Sequence, residues 1–337
     1  MKHSYIESEW INALMRTFAN LGLDTQHIIE GLSGFEQEQV ITGYRLELSA
    51  ARKMWHRADA LAQDPLLGLK IGLSQDYRAV GVLAPVIWHS PTVRMALNNI
   101  LTFQTLISEN GSYHIEERQV KDDGMVHCEY VAAPNIVPVN PHQVMAVIMG
   151  TVGIIQAISN NAVKVKRLFV PPSLNAALIA NNLGCDVITR NGNLAIDFTC
   201  EHFDKPLLGC DEHLYKITMA YADELLRTKR AGLALIDSVK NVIEEYGLSS
   251  ATIEDVEASL ELHKRTLQRN LSEQGSSFRQ LKEEVLKERA ASLLLVQKME
   301  IETVAVQLGY SEPSAFHRAF KTWFGVTPKQ FCAIRHY

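Results

Sequence analysis

The spacing of apolar residues predicts helices in the first part of the chain. Over residues 5–32, bulky apolar side chains recur every three or four positions, which places them on one face of a helix. They are Trp10, Leu14, Phe18 and Leu21. A second helix is predicted over residues 47–63. A third follows Ser90-Pro91-Thr92, with Ser90 as the N-cap and Pro91 at the first helical position. Its apolar side chains are Val93, Leu97, Ile100 and Leu101.

The apolar run from Val144 to Ile158 predicts a further helix. It holds about 15 residues, fewer than the ~20 that a helix needs to span a bilayer. We therefore interpret it as a buried or interface helix. The first ten residues lack the charged and apolar regions of a signal peptide, so neither a membrane anchor nor secretion is expected.

A period of two residues replaces the helical period in the middle of the chain. Residues 112–120 and 125–131 are predicted strands on either side of Asp122-Asp123-Gly124, a sequence typical of β-hairpin turns. Residues 165–170 and 194–200 are also predicted strands, and the second shows apolar and polar alternation. The first two thirds of the chain is therefore predicted to mix α and β structure.

From about residue 212 the pattern is almost entirely helical. The polar, basic segment Arg227-Thr-Lys-Arg-Ala-Gly232 is the predicted joint between two domains of ordinary size. We place an α+β domain at residues 1–228 and an all-α domain of about seven helices at residues 229–337.

The C-terminal domain contains an internal repeat. Residues 253–271 and 301–320 share apolar and basic residues at an offset of 48 or 49 positions. Each stretch predicts a short helix, a tight turn and a longer helix, which is the layout of a helix-turn-helix unit. The two units are predicted at about residues 252–274 and 301–324. A helical pattern over residues 276–296 joins them as a rod of about 28 Å, comparable with the ~34 Å between successive major-groove faces of B-DNA.

In the second unit, Gly309 is expected to end the first helix in the left-handed conformation. Ser311 is the predicted N-cap of the next helix, and Pro313 lies in its first turn. The apolar face of that helix consists of Phe316, Ala319, Phe320 and Trp323. The opposite face carries Ser314, His317, Arg318 and Lys321. Such a face suits the major groove, where an arginine can bridge both acceptors of guanine.

The first unit repeats this arrangement, with Leu267 and Leu271 predicted to point inward. The polar face consists of Arg265, Gln268, Arg269 and Ser272. Glutamine can read adenine, and arginine can read guanine or contact phosphate. A solvated helix face would account for the cations of a single helix, but two copies of the pattern favour DNA binding.

These segments resemble a known family. Leu308-Gly-Tyr-Ser-Glu-Pro-Ser-Ala-Phe-His-Arg-Ala-Phe-Lys-Thr-Trp-Phe-Gly-Val-Thr-Pro328 and Arg265-Thr-Leu-Gln-Arg269 are similar to hallmark segments of the AraC/XylS family of bacterial transcription regulators, and the resemblance covers about residues 234–335. It implies seven helices, with two helix-turn-helix units joined by a long helix. It also implies base-reading residues at Arg265, Gln268, Arg269, Ser314, His317 and Arg318. Contacts to the DNA backbone are assigned to Lys264, Ser272 and Lys321.

The first unit departs from the family pattern at three positions. Glu257 replaces the usual small residue of the leading helix, Glu261 the turn glycine and His263 the capping serine. Glutamate lacks the freedom of glycine at positive φ, and the carboxylates of Glu254, Glu257 and Glu261 would repel phosphate. We expect the first unit to bind DNA more weakly or less specifically than the second.

The N-terminal domain resembles the arabinose-binding-like regulatory domain of the ornithine-regulator subgroup. The motifs that carry this resemblance are Gly22-Leu-Asp24, Asp64-Pro-Leu-Leu-Gly-Leu-Lys-Ile-Gly72, Gly81-Val-Leu83, Ser90-Pro-Thr92 and Pro206-Leu207 with Asp211. The resemblance implies a domain that senses a small molecule or mediates self-association. Four aromatic residues are candidates to line a cavity, although aromatic side chains more often belong to a core: Trp88, Phe103, Tyr113 and Tyr130.

The charge of the chain limits the kind of DNA binding. The 337 residues carry 33 Lys+Arg and 38 Asp+Glu, a formal net charge of −5, which argues against a protein that coats nucleic acid through bulk charge. Residues 313–337, however, contain four cations and no acidic residue, and residues 263–289 contain seven cations against four acids. Two small basic faces therefore predict weak binding outside the specific sequence.

No catalytic, metal-binding or cofactor-binding residues are predicted. The five cysteines lack metal-site or disulfide spacing and fit free thiols in the cytoplasm. The chain has no nucleophile-elbow motif, no glycine-rich phosphate loop and no H-E-x-x-H zinc motif. The isolated histidines are interpreted as structural or surface residues: His89, His114, His127 and His142.

The sequence thus predicts a cytoplasmic, sequence-specific transcription regulator, expected to be an activator, with a small-molecule effector at its N-terminal domain. The expected partners are double-stranded promoter DNA, RNA polymerase, the effector and a second copy of the chain in a homodimer. Two alternatives stay open, an architectural DNA-binding protein without an effector and an enzyme whose helical tail tethers it to DNA. A well-formed apolar pocket in the N-terminal domain would argue against the architectural alternative.

Overall fold

The computed structural model describes residues 4–32, 34–36, 39–40, 45–74, 80–120, 123–248, 250–295 and 297–334. The chain forms two compact units, Met1–Leu226 and Arg227–Tyr337. As described, the first unit is α+β and the second is entirely helical, which confirms the predicted fold classes. Helix α9, Glu212–Tyr246, contains the boundary, so the segment 227–232 that the sequence suggested as a joint is helical.

The first unit contains eight complete helices and nine strands among its described residues. The helices are α1 Ser8–Asn20, α2 Thr25–Ile29, α3 Leu48–Ala62, α4 Leu67–Ser74, α5 Leu83–Trp88, α6 Val93–Phe103, α7 Pro141–Ile158 and α8 Ala176–Leu183. The strands are β1 Tyr5–Glu7, β2 Phe35–Glu36, β3 Gln39–Val40, β4 Arg45–Glu47, β5 Gly111–Val120, β6 Asp123–Ala132, β7 Val165–Val170, β8 Asp186–Thr189 and β9 Ala195–Thr199.

The prediction of a single helix over residues 5–32 is wrong. Residues 5–7 form β1, which pairs with β4, and α1 ends at Asn20 before Gly22 takes a φ of +77°. A second helix, α2, then starts after Asp24, whose side chain accepts a hydrogen bond from the His27 N–H. Leu21 is consequently exposed, although the rest of the predicted stripe is buried or half-buried.

Helix α6 starts later than predicted. Thr92 is its N-cap, because Thr92 Oγ1 accepts a hydrogen bond from the Met95 N–H at 3.2 Å. Ser90, the predicted cap, is buried and donates its hydroxyl to the Val86 carbonyl at 2.8 Å, so Pro91 precedes the helix. The helices predicted over residues 47–63 and 144–158 are confirmed as α3 and α7.

A five-stranded sheet with the order β5-β6-β9-β7-β8 forms the other half of the first unit. The predicted hairpin is confirmed, since β5 and β6 pair in antiparallel fashion up to Val120 and Asp123, while Asp122 of the predicted turn lies outside the described residues. In β9, residues 195–198 are all buried, so the alternation seen in the sequence does not produce a solvent-facing side. Strand β8, parallel to β7 through α8, was not predicted.

Helix α7 lies at the centre of the first unit and contacts α4 closely. A Cβ on Gly68 would lie 2.3 Å from the His142 carbonyl oxygen, and one on Gly72 would lie 2.4 Å from the Met149 Cβ, so both positions require glycine. Among the described helices, α7 alone is long and apolar enough to cross a membrane. With 67% of it buried, it has the burial of a core helix, in agreement with the prediction.

The first unit has two apolar cores. The one that we call the α1–α3 core includes Ile11, Leu14, Phe18 and Trp55. The one that we call the sheet core includes Leu97, Tyr130, Ile148 and Phe198. Trp10 packs against both cores.

The second unit consists of the C-terminal part of α9 and six further helices among its described residues. They are α10 Ile253–Leu260, α11 Lys264–Glu273, α12 Phe278–Leu295, α13 Ile301–Gln307, α14 Pro313–Phe324 and α15 Pro328–Ile334. Gly232 in α9 is buried, and a Cβ there would lie 2.1 Å from the Gln274 side chain. The absence of a side chain at Gly232 therefore lets the Gln274 side chain pack closely against α9.

Candidate DNA-binding surface and regulatory pocket

The turn of the second helix-turn-helix unit forms much as the sequence predicts. Helix α13 is followed by Gly309 with a φ of +84°, and Pro313 is the first residue of α14. The predicted cap is wrong, because the N-cap position is Glu312 and its side chain makes no capping hydrogen bond. Ser311 lies one residue before that position, so proline and the turn geometry set the start of α14 without a side-chain cap.

An aromatic cluster fixes the orientation of α14. Phe316 and Phe320 are fully buried, with their ring centroids 5.5 Å apart. Tyr310 lies 5.5 Å from Phe316 on one side, and Phe331 of α15 lies 5.2 Å from Phe320 on the other. Burying each phenylalanine contributes about 1.5–3 kcal/mol. This packing leaves the opposite face of α14 outside the core.

The polar face of α14 is accessible. Ser314, Arg318 and Lys321 are exposed, and His317 is half-buried. Their side chains make no hydrogen bond or ion pair with other described residues, so their donors are available to a ligand. The structure thus brings the four predicted residues of this unit together on one helix face.

The first helix-turn-helix unit accommodates its unusual residues. Helix α10 starts with a capping box between Thr252 and Asp255, and its C-cap Glu261 takes a left-handed φ of +52°. His263 is the N-cap of α11, and its Nδ1 accepts a hydrogen bond from the Arg265 N–H at 3.3 Å. Glutamate and histidine therefore occupy the positions of the family's glycine and serine without loss of the turn.

The polar face of α11 is equally accessible. Leu267 and Leu271 are fully buried, as predicted, in a core with Val256 of α10 and Leu281 of α12. The residues of the opposite face are exposed: Arg265, Gln268, Arg269 and Ser272. Arg269 Nε lies 3.6 Å from Glu273 Oε1, but both side chains are mostly exposed, and such pairs contribute little stability.

Lys264 forms a shorter ion pair than Arg269 does, with a residue of the preceding helix. Its Nζ donates to Glu254 Oε1 at 2.7 Å. The hydrogen bond and the attraction to the Glu254 carboxylate raise the pKa of Lys264 and lower that of Glu254. The sequence identified Glu254 only as a source of repulsion for phosphate.

Helix α12 joins the two units. Its 18 residues span about 27 Å. Leu281 and Val285 pack in the core of the first helix-turn-helix unit, and Leu293 and Leu294 are buried further along α12. The helix also contacts α13, which belongs to the second helix-turn-helix unit, and α15, which follows that unit. Val296, the last residue of the helix predicted over residues 276–296, lies outside the described residues.

The first unit of the chain contains a pocket between its α1–α3 core and its sheet core. The cavity has a volume of about 110 Å³ and is lined by residues of β1, α1, α3, α5, α6, β5, β6 and α7. Two of the four aromatic candidates, Tyr113 and Tyr130, line it. The other two do not, since Phe103 is packed in the sheet core and Trp88 is 41% exposed.

His142 and His127 make hydrogen-bond contacts inside the first compact unit. His142 Nδ1 accepts a hydrogen bond from the Gly68 N–H, and His127 Nδ1 lies 2.5 Å from Asp197 Oδ1 within the sheet. These contacts agree with their interpretation as structural residues.

Models of known protein families match both compact units of the chain. A family model described as the arabinose-binding domain of AraC transcription regulators matches residues 22–207, and a helix-turn-helix domain model matches residues 257–333. The first match covers more than half of the chain. The chain belongs to the AraC family of transcription regulators.

Two curated relatives and one solved structure are similar to this AraC-family chain. Rv1395 of Mycobacterium tuberculosis, described as an uncharacterized HTH-type transcriptional regulator, is 34% identical over 148 residues. The match covers 43% of this chain and 42% of that protein, so it spans less than half the length of the relative. The ornithine utilization regulator of Pseudomonas aeruginosa is 22% identical over 327 residues, 96% of this chain and 94% of its own. The crystal structure of the transcriptional regulator CdpR from Pseudomonas aeruginosa has 18% identity, a TM-score of 0.49 and coverage of 97% of this chain and 98% of its own.

Proposed function

We propose that this chain is a sequence-specific DNA-binding transcription regulator of the cytoplasm, controlled by a small molecule in its first unit. The observation that carries the DNA-binding part is the pair of exposed polar faces on α11 and α14, each backed by buried apolar residues. Residues 1–228 would sense the effector and residues 229–337 would bind DNA.

Each residue of the two faces has a proposed role. Bases would be read by Arg265, Gln268 and Arg269 of α11 and by Ser314, His317 and Arg318 of α14. The DNA backbone would be contacted by Lys264, Ser272 and Lys321. Lys264 would have to leave Glu254 to reach a phosphate, which supports weaker DNA binding by the first helix-turn-helix unit.

The pocket favours effector control over a purely architectural role. It is mostly apolar and lies between two cores, as ligand sites often do, whereas a solidly packed domain would favour the architectural alternative. The effector must bind one conformation or oligomer better than another to change DNA binding. The effector would thereby change the binding of promoter DNA, the contact with RNA polymerase and the pairing of two chains in a homodimer. The names of the relatives describe regulators, which points away from an enzyme.

The test is a footprint of the purified chain on DNA upstream of its own coding region, with and without an extract of cell metabolites. We expect a protected site whose occupancy changes with the extract. An Arg318→Ala variant should lose protection of that site, whereas Arg167→Ala, in the first unit, should retain it. If no site is protected under either condition, the proposal fails.

A further inference from the structure

Helix α9 belongs to a core in each compact unit. Ala222 and Leu226 are buried in the sheet core of the first compact unit, and Tyr215 packs against that core. Val239 and Val242 are buried in the core that α9 shares with α10, α11 and α12. The boundary after Leu226 therefore lies inside a helix that both cores hold.

The segment that leads into α9 is hydrogen-bonded to the loop between α5 and α6 and to the start of α6. The Leu207 N–H donates to the Pro91 carbonyl at 2.9 Å, and the Arg94 N–H donates to the Phe203 carbonyl at 3.0 Å. Arg94 Nε also donates to Asp204 Oδ1 at 2.6 Å. These bonds hold the segment before α9 against α6 and the loop that precedes it.

A buried asparagine extends this attachment into α9 itself. The Ser90 hydroxyl donates to the Val86 carbonyl, so its oxygen is an acceptor for Asn99 Nδ2 at 3.0 Å. The same amide nitrogen donates its second proton to the Tyr215 hydroxyl oxygen at 3.1 Å. Asn99 is 7% exposed and Ser90 is fully buried. We call Ser90, Asn99 and Tyr215 the Asn99 relay, which connects α5, α6 and α9.

The two helices that the Asn99 relay connects to α9 also line the pocket. Leu83 and Ile87 of α5 and Ile100 of α6 form part of the cavity wall, and Ile100 follows Asn99 directly in the chain. A molecule in the cavity therefore contacts the helices that hold the start of α9. Because packed protein interiors have low compressibility and transmit strain, a shift of α5 or α6 would displace the atoms of the relay.

At its other end, α9 contacts the helix that carries the first of the two polar faces. A Cβ on Gly232 would lie 2.1 Å from the side chain of Gln274, the C-cap residue of α11. Further along α9, Lys240 Nζ lies 2.9 Å from Glu284 Oε2 of α12, and both side chains are mostly buried. Helix α9 thus packs directly against the end of α11 and against the helix that follows it.

We infer that Asn99 and Tyr215 are positioning residues that couple occupation of the pocket to the placement of α11. Because it names the route by which an effector would change DNA binding, this inference rests on the proposed function. A ligand shifts such an equilibrium only through its difference in affinity for the two arrangements, and allosteric coupling typically changes an affinity about 5- to 150-fold.

Hydrogen–deuterium exchange of the full chain, without DNA or effector, tests the Asn99 relay. Tyr215→Phe removes one acceptor of Asn99 Nδ2 and keeps the aromatic ring. We expect exchange at the start of α9 to become about two- to tenfold faster, the range for the loss of one hydrogen bond, and exchange in α11 to rise as well. Tyr221→Phe is the matched control, since Tyr221 lies in the same helix and is 58% exposed, and it should change neither segment.

A filled cavity tests the same route from the pocket. Val147 of α7 lines the cavity, and Val147→Phe introduces a larger side chain there. We expect exchange in α11 to change by about twofold or more, the lower limit for coupled residues, and this change to disappear when Tyr215→Phe is added. Val147→Leu adds less volume and serves if Val147→Phe does not fold.

Three results would overturn the inference. They are a change in Tyr215→Phe that is confined to the first compact unit, an α11 that does not respond to the filled cavity, and an equal response with and without Tyr215→Phe. A footprint with the same preparations, with and without metabolite extract, separates this failure from that of the proposed function. No protected site together with the expected exchange pattern overturns the proposed function, whereas a protected site together with any of the three results overturns the relay alone.

Discussion

Lys264 Nζ lies 2.7 Å from Glu254 Oε1, and this ion pair joins the first turn of α10 to the first turn of α11 across the helix-turn-helix turn. Both side chains are substantially exposed, so the pair contributes little to stability. The pair also neutralises a cation at the predicted DNA-facing surface.

Glu254→Gln should strengthen DNA binding by freeing Lys264 for phosphate. We expect the slope of log K against log salt concentration to become steeper by about 0.9, the value for one additional phosphate contact. The matched control is Glu302→Gln, because Glu302 occupies the equivalent second position of α13, where the described residues include no ion-pair partner. Equal changes in the two variants would show that net charge, and not the release of Lys264, is responsible.

Arg318 and Lys321 should separate base reading from backbone contact. Arg318→Ala should weaken binding to the specific site by about 1–3 kcal/mol and relax the preference at one base pair. Lys321→Ala should weaken binding to all sequences alike and reduce the salt slope by about 1. Gel-shift titrations on specific and scrambled DNA measure both, and unchanged specificity in Arg318→Ala would contradict its role.

The internal repeat allowed the sequence to predict most of the candidate DNA-binding surface. Buried leucines and phenylalanines at helical spacing determine which face of α11 and α14 remains exposed, and that spacing is local information. The caps were harder to predict, because several polar residues compete for one N–H. Ser311 and Ser90 precede helices but do not cap them, whereas His263 does.

The pocket could not be predicted in the same way. It is lined by residues from eight helices and strands that the tertiary fold brings together, and four aromatic candidates yielded two lining residues. The ion pair of Lys264 with Glu254 joins residues ten positions apart, which only the geometry of the turn brings into contact.

The turns of the two helix-turn-helix units should respond to substitution in opposite directions. Glu261 has a φ of +52° and Gly309 a φ of +84°, and a side chain at such a φ is strained by roughly 1 kcal/mol. Glu261→Gly should therefore stabilise the compact unit Arg227–Tyr337 by up to about 1 kcal/mol, less the entropy that glycine loses on folding. Gly309→Ala should destabilise it by about 1 kcal/mol or more. Urea unfolding monitored by circular dichroism measures both, and stabilisation by Gly309→Ala would contradict the assigned geometry.

The stability of the first unit should fall as the pH drops below about 6.5, partly because of His142. Burial lowers the pKa of this histidine, an effect that outweighs the attraction of Asp59 and Asp64. Its Nδ1 also accepts a hydrogen bond from the Gly68 N–H at 3.2 Å, which protonation would break. Since the unfolded chain takes up the proton at a higher pH than the folded chain, stability is fully present above the unfolded pKa. It decreases below that pKa, by at most about 1.4 kcal/mol per pH unit for one proton.

His142→Gln should make this pH dependence shallower, because a glutamine oxygen can accept a hydrogen bond and does not titrate. The measurement is the free energy of unfolding of the first unit at several values between pH 5 and pH 8. His213→Gln is the matched control, since it removes an exposed imidazole of the same unit without touching the contact of His142 with Gly68. The assignment to His142 would be contradicted by equal slopes in His142→Gln and the wild-type chain.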